Sequence, residues 1–326
     1  MSYEPPFGIT PQILNSVARI SEQIGAMGRG LLESQPQLRR RNRIKTIAGT
    51  LAIEGNTLTE EQVTAILDGK RVMGSALELA EVQGAIKAYE AAASLDPLSV
   101  EDLLNAHRLM MGDVLSVPGE FRKGGVGIQK GEHVVHVAPP ADRVLGLMNE
   151  LFGWVRDSEI HALIKSSVFH YEFEFIHPFA DGNGRMGRLW QTRLLADWNP
   201  LFLSLPLESV IRDHQAGYYA ALEASDKKSD CTPFIVFMLM VIEDTLAKSV
   251  TANGSLNDTV KFEGMKTPEA VLACIAENHD VTRQEMADQI GKSVRSVARA
   301  IKQLQESGRL RRVGSDKTGH WEILGE

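Results

Sequence analysis

Residues 177 to 188 read His-Pro-Phe-Ala-Asp-Gly-Asn-Gly-Arg-Met-Gly-Arg, a run that cannot sit inside one continuous helix. Gly182 and Gly184 give access to positive-φ conformations. On both sides the pattern is helical. Ile160, Leu163, Ile164, Val168, Tyr171 and Phe175 recur at helical spacing before the run, and Met186, Leu189, Trp190, Leu194 and Trp198 recur after it until Asn199-Pro200. The chain is thereby constrained to bury two helices with a short polar loop held between them, and groups on such a loop are placed more precisely than on a free one.

The loop concentrates chemistry. A histidine has an unperturbed pKa of about 6.5, so His177 is able to take a proton near neutral pH. Asp181 is a hard oxygen donor suited to Mg²⁺. Gly182, Asn183 and Gly184 allow backbone N–H groups to converge on a phosphate at a helix N-terminus. Arg185 and Arg188, three apart, share one helical face and reach further phosphate oxygens. The residues by themselves amount to a phosphate and metal site with a base beside it.

The run resembles the signature of the Fic family, His-x-Phe-x-(Asp/Glu)-Gly-Asn-Gly-Arg-x-x-Arg, at every specified position. The resemblance implies a mainly α fold, a Fic-type helical domain with a β-hairpin flap. It implies transfer of AMP from ATP to a Tyr, Thr or Ser hydroxyl of a target protein or of the chain itself. His177 is then the catalytic base, Asp181 the Mg²⁺ ligand, and Gly182, Asn183, Gly184, Arg185 and Arg188 the ATP phosphate site. Thr50-Leu-Ala-Ile-Glu54-Gly55 resembles the family's inhibitory motif, (Ser/Thr)-x-x-x-Glu-(Gly/Asn), of the subgroup with an N-terminal inhibitory helix. Thr50 and Glu54 are four apart and share a helical face, and Gly55 is placed to end the helix. By the resemblance Glu54 pairs with Arg188 and restrains ATP; some relatives also use this glutamate to orient water for removing AMP. The family's adenosine pocket corresponds to Tyr219, Leu222 and Asp226, although some relatives carry asparagine at the last position. Its target-docking flap corresponds to Val126, Ile128, Val135 and Val137, where two β-rich runs flank Gln129-Lys130-Gly131-Glu132 and offer edge hydrogen bonds to an extended peptide.

Four regions follow: an N-terminal helical region over 1–95 carrying the inhibitory helix at about 38–55, a catalytic core over 96–250, a linker over 251–265 and a winged helix-turn-helix over 266–326. Within them the patterning predicts helices over 13–32, 37–54, 77–92 and 100–111, a capping box at Thr59 and Gln62, and Ser99 as an N-cap. His107 lies in an apolar helical pattern and reads as a packing residue. Arg39-Arg40-Arg41-Asn42-Arg43 reads as a solvated helix face. In the tail, three short helices and strands over 310–313 and 320–324 around a wing-like loop resemble a winged helix, an appendage of other Fic proteins. Its third helix exposes Arg295, Arg299 and Lys302 to DNA phosphates or bases, or to a docking protein or second copy.

Charge sets limits on partners. Residues 265–326 hold 10 Lys and Arg against 9 Asp and Glu, while the preceding residues hold 25 against 33. The acidic bulk argues against an enzyme that grips long polyanions. The longest apolar stretch, 234–242, is far short of the roughly 20 residues a spanning helix needs. It reads as a buried helix, and the N-terminus has no basic region or apolar core of a signal peptide, so a cytoplasmic chain without membrane contact is expected. Cys231 and Cys274 fall in separate domains and read as reduced thiols. Three functional classes stay open at this point: the adenylyltransferase, a DNA-binding regulator whose Fic region senses a nucleotide, and a Fic enzyme with another donor or with de-AMPylating activity.

Overall fold

The computed structural model describes residues 3–27, 36–125, 127–130, 133–261, 265–290, 292–314 and 320–324. They divide into two compact units, Met1–Ala247 and Lys248–Glu326. The first opens with α1 (Pro11–Met27), α2 (Pro36–Ile53), α3 (Glu60–Leu67), α4 (Ala76–Ala91) and α5 (Val100–Met111). A hairpin of β1 (Gly127–Lys130) and β2 (His133–Val137) follows, then α6 (Ala141–Asp157), α7 (Ala162–Ile176), α8 (Asn183–Trp198), α9 (Leu207–Asp213), α10 (Gln215–Lys228) and α11 (Thr232–Lys261), whose residues from Lys248 on belong to the second unit. The second unit adds α12 (Thr267–Glu277), α13 (Arg283–Ile290), α14 (Val294–Glu306), β3 (Leu310–Val313) and β4 (His320–Ile323). Among the described residues the only sheets are the two antiparallel pairs β1–β2 and β3–β4, so the fold is mainly α.

Local chemistry sets the helix ends. Thr59 and Gln62 form the expected capping box, and Ser99 accepts from the Asp102 N–H. Ser75 and Glu78 make a second capping box that the sequence reading had passed over. Gly55, at φ +90°, closes α2, and the amide of Asn56 turns back to the Leu51 carbonyl.

Helices α7 and α8 pack along one another and carry an aromatic core. Phe152 meets Phe169 edge-on at 5.5 Å, and Phe169, Phe173 and Phe179 continue the chain of rings at 5.8 and 6.1 Å. Phe179 belongs to the loop between the two helices and is fully buried, so the loop is pinned into the core by its own side chain. Helix α2 enters the same core through Ile47 and Leu51. It lies so close to α9 that a Cβ at Gly49 would stand 2.6 Å from the Ser209 amide nitrogen. Gly49→Ala is expected to cost about 1–3 kcal/mol of stability, because a helix backbone rather than a flexible side chain has to move. Urea unfolding checks this, and an unchanged midpoint would show that α2 and α9 separate freely.

Phe234, Ile235, Met238, Leu239, Val241 and Ile242 of α11 are buried, and among the described residues no helix is long and apolar enough to cross a membrane. Within the expected linker over 251–265, α11 continues as helix to Lys261. The stretch contains Asn253-Gly254-Ser255 but no proline. Each of these residues costs a helix about 1 kcal/mol or less relative to alanine, which is too little to stop one already formed.

In the second unit, Val271, Ile275, Met286, Val297, Ile301 and Leu304 pack around Trp321. The Trp321 indole N–H donates to the Val281 carbonyl at 3.1 Å, and the Arg312 guanidinium stacks 4.6 Å from the ring centroid. Residues 315–319, the expected wing-like loop, and Val126 of the expected flap lie outside the described residues, as do the side chains of Ile128, Val135 and Val137.

Candidate functional site

Helix α7 ends on His177, which adopts a left-handed conformation (φ 50°, ψ 61°) and donates its amide to the Phe173 carbonyl at 2.9 Å. A non-glycine residue there costs of order 1–3 kcal/mol and persists only where its surroundings enforce it. Arg122 supplies much of that enforcement. Its Nε donates to the His177 carbonyl at 2.8 Å, and its Nη2 to the carbonyls of Ile176 at 3.3 Å and Pro139 at 2.5 Å. Nη1 donates to the Gly124 carbonyl at 2.9 Å. One buried guanidinium therefore joins the base to both ends of the β1–β2 hairpin. The His177 Nδ1 faces the Glu174 carbonyl at 3.4 Å, a contact that places the ring hydrogen on Nδ1 and leaves Nε2 as the proton acceptor.

The loop after His177 is stapled from two sides. The Asn183 side chain accepts from the Phe179 amide at 2.8 Å and donates to the Phe179 carbonyl at 2.9 Å. His107 of α5 stacks on the Phe179 ring with centroids 3.7 Å apart. Its Nδ1 accepts from the Gly119 amide at 2.8 Å, so its Nε2–H donates to the Asp181 carbonyl at 3.1 Å. Burial pushes the His107 pKa down to about 4, which keeps the ring neutral and this pattern intact. His107 is thus a packing residue, as expected, and an anchor for the loop as well.

Gly182, at φ +83°, caps α8, and a Cβ there would lie 2.9 Å from the Met111 sulfur. The first amides of α8 consequently open toward the loop. Glu54 occupies that opening. Its Oε1 accepts from Arg188 Nη2 at 2.6 Å, and a Cβ at Gly184 would stand only 2.4 Å from it. Arg188 is 2% exposed and also donates from Nε to the Thr50 hydroxyl at 3.0 Å and from Nη2 to the Thr50 carbonyl at 3.2 Å. Burial works against its charge, and the Glu54 carboxylate together with Tyr218 and Tyr89 more than offsets that penalty. The structure therefore brings Thr50, Glu54, Gly184 and Arg188 together.

Arg185 has different partners. Its Nη1 donates to Glu81 Oε1 of α4 at 2.9 Å, and its Nη2 lies 3.5 Å from Asp181 Oδ1. Glu81 Oε2 accepts from Asn56 at 2.9 Å, which ties the residue two past Glu54 to the loop. Among the described residues no group of three or more His, Cys, Asp or Glu side chains is placed to hold a metal ion. The lone Asp181 carboxylate, 58% exposed, suits a cation that keeps most of its waters and shares substrate phosphates, which is how Mg²⁺ is usually held.

Tyr219, Leu222 and Asp226 all lie on α10 but face different neighbours. The Tyr219 hydroxyl is 3.5 Å from the Ile53 carbonyl, to which Gln215 also donates at 3.0 Å, so Tyr219 stands beside the end of α2. Asp226 accepts from the Tyr171 hydroxyl at 2.8 Å, and Leu222 is half-buried. The β1–β2 ladder pairs Gly127 with Val137 and Lys130 with His133, with an irregularity after Ile128. Arg295, Arg299 and Lys302 are exposed on α14, the last of them 3.8 Å from Glu306. Sequence reasoning missed Arg122, Glu81 and the anchoring role of His107, whose contacts join residues 55, 104 and 74 positions apart.

The comparisons with known proteins agree with this architecture. A family model described as Fic/DOC family matches residues 97–195, and one described as winged helix-turn-helix DNA-binding matches residues 266–311. A solved Fic family protein from Desulfovibrio desulfuricans G20 is 42% identical, with 99% of each chain covered and a TM-score of 0.75. A structure of Fic-1 from C. elegans is 25% identical over 72% of this chain and 75% of that one, with a TM-score of 0.55. The protein adenylyltransferase Fic of Aedes aegypti is 30% identical over 243 residues, 70% of this chain and 46% of the relative. The chain thus spans about half the length of the curated relatives it matches. With a 42% identical relative aligned from end to end, and the helix, polar loop and helix of residues 162–198 inside the matched region, the chain belongs to the Fic/DOC family.

Proposed function

We propose that this chain is a protein adenylyltransferase, transferring AMP from ATP to a Tyr, Thr or Ser hydroxyl of a target protein or of itself, and that Glu54 holds it inhibited. The carrying observation is the position of the Glu54 carboxylate between the Arg188 guanidinium and the first turn of α8. A carboxylate there occupies the ground that an anionic phosphate needs.

In the proposed reaction ATP phosphates lie at the Gly182, Asn183 and Gly184 backbone with Arg185 and Arg188 on their outer oxygens. Asp181 would hold Mg²⁺, which would offset part of the phosphate charge there. His177 Nε2 takes the proton of the attacking hydroxyl as its oxygen bonds to the α-phosphorus. The bond to the bridging oxygen breaks, and pyrophosphate leaves while the arginines offset its charge. The hairpin supplies strand edges along which an extended stretch of target registers. Tyr219, with Leu222 near it on α10, borders the adenosine once α2 moves, and Asp226, held by the Tyr171 hydroxyl, lies further along the same helix.

The test is to compare two labels with the Glu54→Gly protein. ATP labelled at the α-phosphate is expected to label protein, and ATP labelled at the γ-phosphate is not. Protein label from the γ-phosphate would replace this reading with a kinase-like one, and label from neither would leave a nucleotide sensor. Release of AMP from labelled protein on restoring Glu54 would add the reverse reaction. For the tail, the exposed Arg295, Arg299 and Lys302 support duplex DNA as a second partner, to be read as salt-dependent binding.

A further inference from the structure

Glu174 is a carboxylate in an expensive position. It is buried in α7, one turn before His177, and its Oε1 has no hydrogen-bond partner among the described residues. A buried carboxyl in that state costs several kcal/mol unless nearby charge offsets it. Two histidines are near: His170 Nε2 is 3.7 Å from Oε1, and His177 Nδ1 is 4.0 Å from Oε2. The facing helix leaves room for it. A Cβ at Gly187 of α8 would stand 2.8 Å from Glu174 Oε1 and 3.0 Å from the His170 ring.

The hydrogen bonds of His170 make it a poor partner for that oxygen. Its Nδ1 meets Gln191 Oε1 at 2.5 Å, which takes the ring hydrogen, so Nε2 accepts from the Tyr218 hydroxyl at 3.0 Å. A neutral His170 thus has no proton to give Glu174. The ring that acquires charge during the proposed reaction is His177.

We infer that Glu174 is a positioning residue for the base: its buried carboxylate stabilises the imidazolium that His177 becomes when it takes the hydroxyl proton. The inference rests on the reading of His177 as the general base. The Nδ1–H points toward the Glu174 carbonyl and carboxylate, while Nε2 faces the substrate, so the proton arrives on one side of the ring and the compensating charge waits on the other. The other titratable and charged groups facing the pair are His170 of α7, Arg188 of α8, Tyr218 and Tyr219 of α10, Glu54 of α2, and Arg122 at the His177 carbonyl. Glu54 already answers Arg188 and Arg122 is engaged by carbonyls, so Glu174 is the carboxylate nearest the ring. Burial raises the pKa of Glu174, the Arg188 guanidinium lowers it, and the His170 and His177 rings lower it further only when they carry charge; the net direction is below the usual range.

The test is Glu174→Gln, which keeps the shape and removes the charge. Nuclear magnetic resonance titration of the His177 ring, in the otherwise unchanged protein, is expected to show its midpoint falling by about one pH unit, the lower end of the effect of an opposite charge 4–6 Å away. In the Glu54→Gly background the acidic limb of the rate profile moves down with it, and the plateau rate falls about tenfold with ATP affinity unchanged. Glu174→Asp, which draws the charge back by one methylene, gives a smaller shift of the same sign and serves if the glutamine variant does not fold. An unmoved His177 midpoint in a folded variant overturns the inference. If the Glu54→Gly protein transfers nothing, the adenylyltransferase reading fails, and the ring titration still decides the role of Glu174.

Discussion

His177→Ala, made in the Glu54→Gly background, is expected to slow AMP transfer by about 10²- to 10⁴-fold, the range a positioned general base supplies. ATP affinity is expected to change little, because in the proposed complex the phosphates would lie against the α8 amides, Arg185 and Arg188 rather than the imidazole. The split between rate and affinity is the informative part: an interaction made only in the transition state lowers the rate constant without weakening the ground-state complex. The backbone adds a second, smaller effect. His177 sits at φ 50° between an amide bond to Phe173 and the Arg122 contact to its carbonyl, and alanine tolerates that conformation no better than histidine. The melting temperature should therefore stay within a few degrees of the parent. Equal labelling rates for variant and parent would remove His177 from the mechanism.

Glu54→Gly is the second large effect, and its sign is opposite for activity and stability. A hydrogen bond to a charged group contributes about 1.5–3 kcal/mol, so freeing Arg188 and the space at Gly184 should raise self-labelling by roughly ten- to a hundredfold. The free protein should lose stability at the same time. Removing one partner of a buried pair costs about 3–5 kcal/mol, but Glu54 is one-third exposed and Thr50 retains two bonds to Arg188. A loss nearer 1–2 kcal/mol follows. ATP, which on the proposed reading takes the same guanidinium, should restore much of that loss in a melting experiment. Unchanged labelling would mean that the carboxylate does not compete with phosphate.

The parts of the site legible in the sequence are those contiguous in it. His177, Asp181 and the arginines lie within a single loop and the turn after it, and the glycines announce where the helix restarts. Thr50 and Glu54 were reached through a six-residue resemblance, because nothing in their spacing says which distant arginine they meet. Glu81, Arg122 and Glu174 carry no such local mark. Each is an ordinary charged residue in its own stretch and acquires meaning only when the core folds it against another element. Gly187 shows the same limit from the other side, since its small size is dictated by Glu174 thirteen positions away. The continuation of α11 across Asn253-Gly254 was not legible either, because the modest local penalties there do not say whether a helix already formed goes on.

The four hydrogen bonds of Arg122 end on backbone carbonyls at Ile176, His177, Gly124 and Pro139. Carbonyl oxygens are present whatever the side chain, so this junction does not depend on which residues the hairpin carries. On the proposed function, substitutions in the hairpin between its two fixed ends would therefore readdress the chemistry to a new target while the geometry of the base stays as it is.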